Sequence, residues 1–196
     1  MTEKQTDRVK TKIKRIRGIL AAEKRQYGGY DDTRGLRYIP PGLYIKMEDY
    51  SGGLTYLRWF KKNFPDDAGF PDFLFEWTII LFMTNKLKEA ERKAMETFCS
   101  NTYIFDKFFG KPIIPVKKFE SSNVDSPGFT QYLEYSSDQP GLMAFAEWLS
   151  NSINGEKFKN FSSKFITINK RLLTEEDQET RGYLFKQIEQ MKKNYE

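Results

Sequence analysis

The sequence predicts an all-α fold, and three features carry that reading. Apolar residues recur at three- and four-residue spacing in one segment after another, β-branched residues are sparse outside short runs such as Thr78-Ile79-Ile80, and glycines and prolines fall between the periodic segments. The expected arrangement is an array of antiparallel helix hairpins, crossed by an extended strap and closed by C-terminal capping helices. At 196 residues, such a chain buries roughly 70% of the surface it exposes when unfolded. Aromatic residues, with 17 Phe and 11 Tyr, supply much of that interior.

Val9, Ile13, Ile16 and Leu20 are four, three and four positions apart, so residues 6–26 form one amphipathic helix with a narrow apolar stripe. Gly28 and Gly29 end it. In residues 38–47, Pro40 and Pro41 suit a first helical turn, where a missing amide proton costs nothing. Residues 51–64 place Gly53, Leu54, Leu57, Phe60 and Phe64 on one face and stop at Pro65. Further helices are expected over 73–83, over 86–98 with Leu87, Ala90, Ala94 and Phe98 on one side, and over 102–109, closed by Gly110.

Pro112, Pro115, Pro127 and Pro140 argue against long helices in residues 111–140, which are expected as a strap anchored by Ile113, Ile114, Val116, Phe119, Phe129, Tyr132, Leu133 and Tyr135. Residues 113–116 are the one stretch that could pair locally as a strand. Leu142, Phe145, Ala146 and Leu149 mark the next helix, and Phe158, Phe161, Phe165 and Ile168 another. Thr174 and Asp177 read as a capping box for a last helix whose apolar side is Tyr183, Leu184, Ile188 and Met191. The organisation is therefore an arm (1–26), helical repeats (27–110), the strap (111–140) and C-terminal helices on the same domain (141–196).

Tyr50, Gly53 and Leu57 followed by Pro65, and then Trp77, Ala90 and Ala94, make residues 38–100 similar to the tetratricopeptide repeat (TPR) family, whose small residues let paired helices approach. Gly53 and Ala90 lie 37 positions apart, close to that family's period with a short insertion at 66–70. The pattern departs from the family at Pro41, where a small residue is usual, and in lacking a closing proline in the second repeat. The resemblance implies a scaffold that binds another protein, of bacterial type, with an inner groove lined by Tyr38, Ile45, Lys46, Phe75, Ile79, Phe82 and Met83. That groove either takes a partner or is filled by the strap and C-terminal helices. The basic residue and asparagine with which some members hold a peptide's terminal carboxylate are absent, since Tyr38 and Gly42 stand in their place.

The net charge of +5 is unevenly spread. Residues 1–26 hold Lys4, Arg8, Lys10, Lys12, Lys14, Arg15, Arg17, Lys24 and Arg25 against Glu3, Asp7 and Glu23, a balance of +6 that leaves −1 for the rest. A nucleic acid or an anionic membrane surface is therefore a second possible partner, met by Arg8, Lys10, Lys12, Lys14, Arg15 and Arg17.

Catalytic equipment is thin. The chain has no histidine and only Cys99, so histidine-dependent triads and Cys/His zinc sites cannot be assembled within it. No phosphate-cradling glycine loop appears, and no cofactor or metal is expected. Asp31-Asp32, Glu48-Asp49, Asp66-Asp67 and the acidic run 175–179 suit turns and helix starts better than a cleft. A lone cysteine and the lack of a secretory core or a membrane-length apolar run lead to the expectation of a cytoplasmic, non-catalytic interaction protein, possible forms being an adaptor or an immunity or antitoxin-like protein.

Overall fold

The computed structural model of the chain describes residues 1–195 and holds nine α-helices and three short 3-10 turns, with no strand among those residues. The first helix, α1 (Glu3–Tyr27), opens on a reciprocal cap in which Thr2 and Gln5 exchange hydrogen bonds, and it closes on Gly28 at φ 72. Two hairpins follow, α2 (Ile39–Lys46) with α3 (Tyr50–Asn63) and α4 (Pro71–Met83) with α5 (Leu87–Ser100). A single turn of helix, α6 (Ile104–Phe108), leads into the strap, after which α7 (Met143–Asn154), α8 (Glu156–Thr174) and α9 (Gln178–Lys193) pack in sequence.

The centre of the molecule is α4, which is apolar nearly all round and meets α2, α3, α5 and α7. A helix of that composition is stable only when enclosed. Gly53 sits where α3 crosses its neighbours: a Cβ there would lie 2.9 Å from Ile80 Cδ1 on α4 and 3.2 Å from Tyr44 Cβ on α2. Ala90 and Ala94 are buried on α5, the helix most closely packed on α4. Aromatic rings fill the rest, with Phe60 against Phe73 at 4.7 Å, Phe75 against Phe108 at 5.0 Å and Phe98 against Phe158 at 5.2 Å.

The two hairpins turn in the same way. Glu48 (φ 59) and Asn85 (φ 57) adopt the left-handed conformation, and the following amides reach five residues back, Asp49 N–H to Tyr44 O and Lys86 N–H to Leu81 O. This is the Schellman end of a helix, and Gly110 (φ 63) repeats it after α6 with Lys111 N–H to Asp106 O. Positions 48 and 85 have the same 37-residue separation as Gly53 and Ala90. The hairpins are unequal in length, since α2 has 8 residues and α4 has 13.

Several expectations need correction. Phe75 and Ile79 are 0% exposed and Ile45 is buried, so these residues are core and line no open groove. The covering rings are Phe108 and Phe145 together with the strap's Tyr135, which lies 6.0 Å from Phe75. The strap is not wholly extended; it includes 3-10 turns at Asn123–Asp125 and Pro127–Tyr132. Its anchors Leu133, Phe119 and Tyr135 do pack inward, but Phe129 stacks only on the exposed Phe70 and Tyr132, and Ile114 and Tyr132 face solvent at 72% and 59% exposure. Residues 113–116 pair with nothing as a strand. Thr174 ends α8 instead of capping α9, a task Asp177 performs alone by accepting Thr180 N–H at 2.7 Å. Tyr183 is exposed, whereas Leu184 and Ile188 are buried.

Candidate functional site

One carboxylate of each acidic pair, Asp32, Asp49 and Asp67, has structural partners. Asp32 accepts the backbone N–H groups of Leu36 and Arg37, and the Arg37 side chain bridges it to Asp67 at 3.0 and 2.6 Å. Burial alone raises the Asp67 carboxyl, but the Arg37 and Tyr38 hydrogen bonds outweigh it and hold the group below the usual range. Tyr38, expected in the groove, is thus half-buried in this clamp, its hydroxyl donating to Asp67 at 2.8 Å. Asp49 caps α3 by accepting Gly52 N–H at 2.9 Å. Among the described residues no group of three or more His, Cys, Asp and Glu could hold a metal ion.

Cys99 lies 3.7 Å from Met95 Sδ, and burial pushes its thiol up to about 12. The thiolate needed for nucleophilic attack is scarce there at neutral pH. Glu76 belongs to none of the acidic pairs of the sequence. It is half-buried on α4 beside Gly42 and accepts the Tyr135 hydroxyl at 2.9 Å. Burial and the neighbouring Asp72 charge push it up to about 8, against the opposing effect of the Tyr135 hydrogen bond. That bond makes it a tie between the strap and α4.

The remaining groove residues divide. Phe82 packs on Phe145 and Trp148, Met83 is half-buried, and Lys46 is exposed. Of the repeat-packing positions, Gly53, Leu57, Ala90 and Ala94 are buried, Tyr50 and Trp77 pack on the core's edge, and Pro65 follows the end of α3. Trp77 carries the Lys93 ammonium 4.1 Å above its ring.

The basic arm is the feature with unmet chemistry. Ile13, Ile16 and Leu20 dock α1 on the body, leaving Arg8, Lys10, Lys12, Lys14, Arg15 and Arg17 exposed. Among the described residues none of the nine cations of α1 lies within ion-pair distance of a carboxylate, whereas Arg37, Lys86, Arg92, Lys93, Lys118, Lys157 and Arg171 of the body all do. Two clefts run along the line where α1 meets the body. The first, about 320 Å³, is lined by Lys10, Ile13, Lys14, Arg17, Tyr44, Met47 and Asp49. The second, about 270 Å³, is lined by Arg17, Ala21, Lys24, Arg25, Tyr30 and Trp59. Arg17 belongs to both. A larger hollow along Glu3, Lys4, Asp7, Arg8 and Thr11 involves α1 alone and has no opposing wall.

Tyr30 and Trp59 were not among the residues picked from sequence, because they lie outside the arm and only the fold brings them beside it. No helix is long and apolar enough to cross a membrane among the described residues. Compared with known proteins, the chain matches no family model, no curated protein and no solved structure.

Proposed function

We propose that the chain is a non-catalytic binding protein, a frame of stacked helix hairpins of the tetratricopeptide type, and that its contact surface is the basic side of α1, with nucleic acid as the partner. The observation that carries this reading is the row of unpaired cations lining the clefts. Clustered like charges raise the potential along α1, and a polyanion relieves that repulsion while releasing its own counterions.

Two features weigh against other partners. A peripheral membrane helix buries an apolar face in the lipid boundary, but Ile13, Ile16 and Leu20 are already committed to the body. A peptide in the inner groove would have to displace Phe75 and Ile79 from a closed core. The shared turn geometry at Glu48 and Asn85, in register with Gly53 and Ala90, supports the repeat-like reading of the frame.

The test is a fluorescence-anisotropy titration of the full chain with labelled DNA and RNA, beside phosphatidylserine vesicles as the competing surface. Binding of nucleic acid that weakens steeply between roughly 50 and 200 mM salt supports the proposal. Vesicle binding with no affinity for nucleic acid overturns it.

A further inference from the structure

We infer that the nucleic acid is single-stranded, with its backbone along Lys10, Lys14, Arg17, Lys24 and Arg25 and a base seated against Tyr30 and Trp59. This rests on the proposed function and narrows it to one form of partner.

The basic positions lie 4, 3, 7 and 1 residues apart and so follow one side of α1. From Lys10 to Lys24 the helix rises ~21 Å, which is about six nucleotides at the duplex spacing of 3.4 Å per strand and fewer in an extended strand. That length falls within the range a single-strand groove covers. One end of the track carries the aromatic wall. Tyr30 meets Trp59 edge to face at 5.9 Å and is held by its hydroxyl, which donates to Asn63 Oδ1 at 2.9 Å. Lys24 donates to the same oxygen at 3.0 Å and sits 5.0 Å from the Tyr30 ring centre. Its stem is exposed and flexible, so the ammonium can pass to a phosphate while a base takes its place over the ring.

A duplex hides its base faces in the stack and offers them only at its ends, so it gains from the cations but not from the aromatic wall. An unpaired strand gains from both. The cations alone set general affinity, and Tyr30 with Trp59 sets the preference for single strands.

The experiment compares a labelled oligothymidylate with a duplex of equal length, using the full chain and its Tyr30→Leu and Trp59→Phe variants, each checked for helix content. The expected result is tighter binding of the single strand by about tenfold, a loss of most of that preference in Tyr30→Leu, and duplex binding unchanged. Quenching of tryptophan emission by oligothymidylate, reduced in Trp59→Phe, is a second readout that does not depend on the Tyr30 variant folding. Equal affinity for both forms, with no quenching, overturns the inference and leaves the proposed function standing. No binding of either form removes both.

Discussion

Tyr135 donates its hydroxyl to Glu76 Oε1 at 2.9 Å, and this bond ties the strap to the central helix. Burial and the neighbouring charges of Asp72 and Glu134 disfavour the charged form of the carboxyl and displace its titration upward to about 8. A folded-state pKa raised above the unfolded one gives stability that is complete below the unfolded value and is lost as pH rises through the folded one. Stability should therefore fall between about pH 4.5 and pH 8. Glu76→Gln keeps an acceptor for Tyr135 and removes the charge. Thermal melts across that window should show a flatter profile for the variant, with a gain on the order of 1–3 kcal/mol at the alkaline end.

Gly53 and Gly18 make opposite cases on two helices. A Cβ at Gly53 meets Ile80 and Tyr44, whereas one at Gly18 meets nothing within 4 Å. Gly53→Val should destabilise by about 1–3 kcal/mol through overpacking. Gly18→Ala should stabilise by roughly 0.5–1 kcal/mol, because an exposed helical glycine gives up more backbone freedom than alanine. Urea denaturation of both variants measures the contrast.

Glu48 adopts φ 59 on an exposed turn, where an L-residue carries a conformational penalty of roughly 1 kcal/mol. Glu48→Gly should raise stability by up to about that amount in the same assay. Glu48→Val, β-branched at a left-handed position, should lower it.

Arg37 joins Asp32 on the loop after α1 to Asp67 on the turn before α4. The Asp67 carboxyl is held below its ordinary value, so its contribution is present above that value and is lost as pH falls through the depressed one. Asp67→Asn should lose about 1–3 kcal/mol at neutral pH. The difference from the parent should shrink as acid protonates Asp67, which melts at decreasing pH would show.

The helices of residues 1–195 were legible because their apolar faces repeat at helical spacing and because Gly28, Pro65 and Gly110 mark the ends of α1, α3 and α6. The Schellman turn at Glu48 was not, since glutamate carries no preference for the left-handed conformation, whereas Asn85 is of a type that favours it. Burial of Phe75 and Ile79 was open in the sequence, because a strap that covers a face and one that leaves it bare have the same composition. The basic row was plain from charge alone. Its aromatic wall was not, because Tyr30 and Trp59 come from a loop and from α3 and meet α1 only in the folded chain.

A polyanion held by the cations that line the α1 clefts must bind with a strong dependence on salt. The double variant Lys14→Glu, Arg17→Glu leaves the docked stripe of Ile13, Ile16 and Leu20 intact while reversing two cleft charges. The logarithm of the association constant for oligothymidylate should fall linearly with the logarithm of salt concentration, and the variant should bind at least about tenfold more weakly with a slope shallower by roughly one or two. Affinity and slope unchanged in a variant that melts like the parent would contradict a polyanion site in these clefts.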